Sequence, residues 1–288
     1  MRRAFALLLL VWLVGVTVPV QAQQYPGLSK VQRAEVDRFA ANNSLVVLYH
    51  EMAHLLIHQL RLPVLGREED AADNMATWFL LNIKNADADQ VLADAARGWI
   101  LSGIAYGDRL GDEDFAAPHS LDRQRALQIV CLMVGSDAKA FRRMANQYAI
   151  GRDRQDSCKG DYRLVDQSLQ TLLGEKRSDS TPGTIVHVTY HDPGPALKSS
   201  ASAFRRSGIF DSVAEELRQH YNIAIPVRFN ARRCGEANAY YDRDTVEIIF
   251  CYELLQEYEM VYADELARSG PAGRSDSEQK SNSFRGPQ

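Results

Sequence analysis

From Ser29 to about Leu173, apolar residues recur at three- and four-residue spacing; from Thr184 the period shortens to two. The first part therefore predicts a succession of helices. Lys30 to Ala41 is an amphipathic lead-in, and Asn43-Ser44 is placed to cap a helix that carries VLYHEMAHLL. Further helices are expected over Glu68–Ile83, Asp87–Ile104, Leu121–Val134, Ala138–Tyr148 and Tyr162–Leu173, punctuated by Pro63, Gly66, the Gly107–Gly111 stretch and Pro118. After the polar run GEKRSDSTPG, the segment TIVHVTY alternates as a strand does. Ala196–Tyr221 is helical with a break at Ser207-Gly208, and AIPVRFN is a second strand. The stretch CGEANAYYDRDTVEIIFCYEL reads as a hairpin turning at Asp242-Arg243-Asp244, and a last helix covers Tyr252–Ala267. The pattern predicts an α+β protein, mainly helical, with a small strand and hairpin part supplied by the C-terminal segment.

Its organisation follows from composition shifts. Residues 1–22 hold two arginines, an apolar run from Phe5 to about Val18, and small residues at Val20 and Ala22, which is the pattern of a signal peptide cleaved after Ala22. Residues 23–175 form the helical part, 176–183 a linker, 184–267 the α/β part, and 268–288 a polar tail expected to be disordered. An apolar content of 45% and a formal net charge of -4 suit a globular protein. The arginine pairs are scattered, so no basic stripe marks a nucleic-acid partner. No later segment is long and apolar enough to span a bilayer, so no membrane association is expected once the signal is removed. The expected location is periplasmic or secreted. In that oxidising setting the four cysteines favour two disulfides, with Cys131 to Cys158 and Cys234 to Cys251 as the local pairing.

Within the motif, His50 and His54 are four residues apart, which puts both imidazoles on one helix face about 6 Å apart along the axis. They can converge on one metal, while Glu51 can reach a water bound to it; this is the HExxH logic of two zinc ligands and a general base. The flanks Val46-Val47-Leu48 and Leu55-Leu56-Ile57 are apolar, so the helix is buried, and burying these polar groups is costly unless a metal compensates. The plainer alternative is a pair of core histidines hydrogen-bonded to backbone or carboxylates. His58 lies about 12 Å along the axis from His50 and cannot share its metal; it is read as a surface or supporting residue.

A third ligand is sought downstream, where Glu68, Glu69, Asp70 and Asp73 open the next helix. The helix dipole alone partly accounts for acids there. Glu69 and Asp73 are one turn apart, so Glu69 can bind a metal while Asp73 accepts the second ring N–H of a ligand histidine. EDAAD at Glu69 and Asp73 resembles the ExxxD helix that follows HExxH in gluzincin zinc peptidases. That resemblance implies Glu69 as the ligand, with Glu68 as the fallback.

Three runs, YHEMAHLLIHQLRLPVLGREEDAADN, HSLDRQRALQIVCLMVGSD and CGEANAYYDRDTVEIIFCYEL, together resemble a bacterial family (DUF4344) described as "putative metallopeptidases". With their surroundings they cover most of Leu45 to Ala267. In that family the third run precedes the HExxH helix; here it follows, which implies a circular permutation or, alternatively, the front of a second copy. The resemblance implies a zincin-like core. The expected function is peptide-bond hydrolysis with Zn2+ held by His50, His54 and Glu69, and with Glu51 as general base acting on a zinc-activated water. His119, Tyr240, Tyr241 and Arg67 are candidate oxyanion donors, and the Cys234–Cys251 hairpin is a candidate edge for a peptide or protein substrate. The rival readings are a non-catalytic zinc-containing binding module and a zinc hydrolase of a non-peptide amide.

Overall fold

The structure, a computed structural model, describes residue 25 and residues 27–84, 86–106, 110–174, 176–177 and 183–269. The expected signal peptide and nearly all of the expected tail lie outside the described residues. Ten helices and four strands follow in the order α1 (Lys30–Gln59), α2 (Glu68–Ile83), α3 (Ala86–Tyr106), α4 (Asp112–Ala116), α5 (Asp122–Ser136), α6 (Ala138–Gln147), α7 (Arg152–Gly174), β1 (Val186–Tyr190), α8 (Lys198–Ser207), α9 (Ile209–His220), β2 (Val227–Arg232), β3 (Ala239–Asp242), β4 (Glu247–Cys251) and α10 (Tyr252–Ser269) among the described residues. The protein is mostly helical with one small sheet, an α+β fold. Among the described residues, no helix is long and apolar enough to cross a membrane.

Helix α1 is the axis of the fold. Its cap is Ser29, whose hydroxyl accepts from the Gln32 N–H while Gln32 returns a bond to the Ser29 N–H. This corrects the expected cap at Asn43-Ser44. Those two residues are buried in mid-helix, where Ser44 bonds back to the Ala40 carbonyl and Asn43 donates to the Phe39 and Asp94 carbonyls. Bonding to the preceding turn satisfies their side chains without ending the helix. Gly98 in α3 lies against this amide: a Cβ there would sit 1.9 Å from Asn43 Oδ1. Gly98→Ala is accordingly expected to lower stability by roughly 1–3 kcal/mol through overpacking. Chemical denaturation checks this, and an unchanged midpoint would show that the α1–α3 contact has slack.

The sheet has the order β1-β2-β4-β3, with β1/β2 and β2/β4 parallel and β3/β4 antiparallel. Its buried face presents Phe229, Ile248 and Phe250, and Phe250 stacks on Phe204 of α8 at 4.0 Å between ring centroids. This cluster is continuous with Leu48, Met52, Leu55 and Leu56 of α1, so one core runs through helices and sheet alike. Strand β3 is the sheet edge nearest the HExxH turn. Gly208, at φ +70, makes the break between α8 and α9 that the sequence marks.

Most element ends shift by one to three residues from expectation, β2 for instance covering Val227–Arg232 rather than Ala224–Asn230, and α4 is not expected from the pattern. Helix α7 begins at Arg152, ten residues before the first apolar signal, because its polar opening is tied to α5 by the disulfide Cys131–Cys158. Helix α10 runs on to Ser269, where Arg268 pairs with Asp264 and Glu265. The second disulfide, Cys234–Cys251, closes the base of the hairpin.

Candidate metal centre

Helices α1 and α2 meet so that the HExxH turn faces the acidic start of α2. His50 Nε2 lies 3.1 Å from Glu69 Oε2, His54 Nε2 lies 3.2 Å from the same oxygen, and the two Nε2 atoms are 3.1 Å apart. Among the described residues, these three groups lie close enough together to hold one ion. In a tetrahedral zinc site with bonds of about 2.0–2.1 Å, neighbouring ligand atoms stand about 3.3 Å apart. The observed triangle is close to that size. Two imidazole lone pairs and a carboxylate oxygen this close repel one another unless a cation or a proton lies among them, so the donor set fits a metal.

The remaining ring nitrogens are fixed from outside. His50 Nδ1 is 2.9 Å from Asp73 Oδ1 and His54 Nδ1 is 2.8 Å from Glu68 Oε1, so each ring donates from Nδ1 and turns Nε2 inward. Glu68 thus lies against the outer nitrogen of His54, outside the convergent group. Asp73 is held in turn by Arg125, whose Nε and Nη2 reach its two oxygens at 2.7 and 2.6 Å. The Arg125 guanidinium lies 3.7 Å over the Trp99 ring. Arg125 is the functional residue that the sequence reading missed. Its signal was present: it shares a face of α5 with Ile129 and Leu132, and a lone cation in a buried stripe demands a partner.

Glu51 is buried, beside a cavity of about 360 Å³ lined by Val47, Trp99, Arg125, Asn238 and Tyr258. Burial pushes its carboxyl pKa up, a shift only partly offset by His50, His54 and a bond from the Tyr241 backbone N–H. His119 precedes α5, and its Nε2 lies 2.9 Å from Glu69 Oε2. Tyr240 and Tyr241 have their hydroxyls turned to other partners, accepting from Arg232 and Gln59 at 2.8 and 2.9 Å. Arg67 reaches toward Ser120 and the Phe115 carbonyl, each at 3.5 Å, and so braces the segment that carries His119.

Burial works against a charged His50, but its bonds to Asp73 and Glu69 outweigh this and raise its pKa to about 9. Because the folded value exceeds the unfolded one of about 6.5, this stabilisation is complete below pH ~6.5 and lost as pH rises through about 9. Metal needs the same nitrogen without its proton, so binding tightens across that window. Thermal unfolding from pH 6 to 9.5 should therefore show the metal-free protein losing stability while the increment from added metal grows. Parallel curves with and without chelator would contradict this.

A family model described as "Putative metallopeptidase" matches residues 19–173 and 190–283. No curated protein and no solved structure matches the chain.

Proposed function

The chain belongs to that family of "putative metallopeptidases", DUF4344, and on this footing we propose that it is a zinc-dependent peptidase. His50, His54 and Glu69 hold the metal and Glu51 is the general base. The carrying observation is the triangle of two imidazole nitrogens and one carboxylate oxygen at 3.1–3.2 Å, with a separate carboxylate behind each ring. Bound there, zinc would supply Lewis acidity toward a peptide carbonyl and toward a water. Glu51 takes the proton of the attacking water and delivers it to the leaving amine; burial raises its carboxyl pKa, which makes its carboxylate a stronger base.

Among the candidate oxyanion donors, His119 is the one beside the metal ligands, and its half-exposed ring can donate to a carbonyl oxygen developing charge. An extended peptide can add to the outer edge of β3, where Ala237, Asn238 and Ala239 line the cavity that also holds Glu51. Trp99, Val47 and Tyr258 then wall a space for a side chain next to the scissile bond. We read the α/β part as completing the helical part by circular permutation, because β2, β4 and α8 share one core with α1. Two disulfides accord with export to an oxidising compartment.

The test is digestion of a mixed peptide library by zinc-loaded protein and by its Glu51→Gln variant. New peptide ends in the first digest only are expected. Identical digests would sink the reading.

A further inference from the structure

The turn of the β3–β4 hairpin packs against His58 and Glu68, the latter an outer partner of the ligand histidine His54. Asp242 accepts from the backbone N–H groups of Asp244 and Thr245 at 2.9 and 3.1 Å, a closed turn that projects Arg243 from its tip. Arg243 Nε donates to His58 Nδ1 at 3.1 Å. Arg243 Nη2 stands 2.5 Å from His58 Nε2, and that ring nitrogen lies 2.9 Å from Glu68 Oε1. The same Glu68 oxygen accepts from His54 Nδ1 at 2.8 Å, and His54 Nε2 belongs to the convergent ligand triangle. Arg243 Nη2 also stands 3.9 Å from the second Glu68 oxygen.

From this chain of contacts we infer that Arg243 and His58 are positioning residues for the metal site, acting through Glu68 on the ligand His54. The inference rests on the proposed metal site and adds to it a brace supplied by the hairpin. Glu68 is a third exposed and has three rotatable bonds, so on its own it samples several rotamers. His58 and Arg243 remove that freedom and hold Oε1 where it faces the His54 ring. The His58 ring is itself fixed, at 5.5 Å between centroids from Tyr241 of β3. The helix carrying the ligands and the hairpin 185 residues further along the chain therefore meet in one hydrogen-bonded chain. Of the two readings that its helical spacing from His50 leaves for His58, surface or supporting residue, this favours the second.

Zinc dissociation constants by competition with a chromophoric chelator provide the test, with metal-free melting temperature as the control for folding. Outer partners of ligand histidines typically contribute 10–100-fold in affinity. Arg243→Ala and His58→Phe should each weaken zinc binding by roughly 3- to 10-fold, and Arg243→Lys should recover most of it, because an ammonium can still donate to His58 Nδ1. In a Glu68→Ala background, Arg243→Ala should add nothing further, since the connection is already cut. Affinities of Arg243→Ala and His58→Phe within twofold of the parent would overturn the inference. So would a full additive loss in the Glu68→Ala background, or a fall in metal-free melting temperature with affinity unchanged. A parent protein that takes up no zinc would overturn the underlying metal site as well, and that outcome is visible before any variant is measured.

Discussion

Glu51→Gln is expected to keep one zinc per chain and to lose peptide hydrolysis by roughly 10²–10⁴-fold, the range that a positioned general base contributes. The substitution preserves the size of the side chain, and its amide oxygen can still accept from the Tyr241 N–H, while a basic carboxylate is replaced by an amide that does not take up a proton near neutral pH. Glu51 is not among the three groups that converge, so its charge is not needed to hold the ion. The buried setting sharpens the contrast: a neutral amide is easier to bury than a carboxylate, so the variant should be at least as stable as the parent. Zinc content by atomic absorption and turnover of a quenched peptide found in the library digest separate the two properties. Loss of zinc together with activity would show that Glu51 holds metal; retention of both would remove it from the chemistry.

The parts of the site that lie within one or two turns of helix were legible in the sequence, and the parts that bridge distant segments were not. His50, Glu51 and His54 are related by helical geometry alone, and Glu69 and Asp73 by the same geometry one helix later. Periodicity that fixes the helices also fixes these faces. The structure brings the two faces together across the Leu60–Arg67 connection. By contrast, the Arg125–Asp73 pair spans 52 positions and the Arg243–His58 contact 185. No local pattern encodes such partners. Only the expense of burying an unpaired arginine hints at the first, and nothing hints at the second. The expected cap at Asn43-Ser44 fails for the same reason. Local propensity favours a cap there, but the tight crossing of α1 by α3 at Gly98 gives Asn43 an acceptor at Asp94 and so makes a buried mid-helix amide stable. The hidden start of α7 is similar, since its polar residues are held by a disulfide rather than by an apolar stripe.

Adjacent glutamates at the start of α2 offer the second decisive result. Glu69→Ala should abolish stoichiometric zinc binding, whereas Glu68→Ala should keep it with a dissociation constant raised by roughly 10–100-fold. The argument is directional. Glu69 Oε2 stands 3.1 and 3.2 Å from the two Nε2 atoms, on the inner side of both rings. Glu68 Oε1 faces Nδ1 of His54 and Nε2 of His58, on the outer side, and a carboxylate bound there cannot reach the point where the Nε2 lone pairs cross. Removing Glu69 leaves two imidazoles, too few protein donors for a catalytic zinc site, which uses three. It also leaves His119 without the oxygen it contacts at 2.9 Å, so the segment before α5 should loosen in the same variant. Hydrogen exchange over residues 112–121 reads that second effect independently of metal. Were Glu68→Ala the variant that lost zinc while Glu69→Ala retained it, the roles of the two side chains would be exchanged, and α2 would have to turn by about 100° to present them that way. Such a rotation would expose Met75 and Phe79, both now buried against α1, so the packing of the core and the choice of ligand stand or fall together.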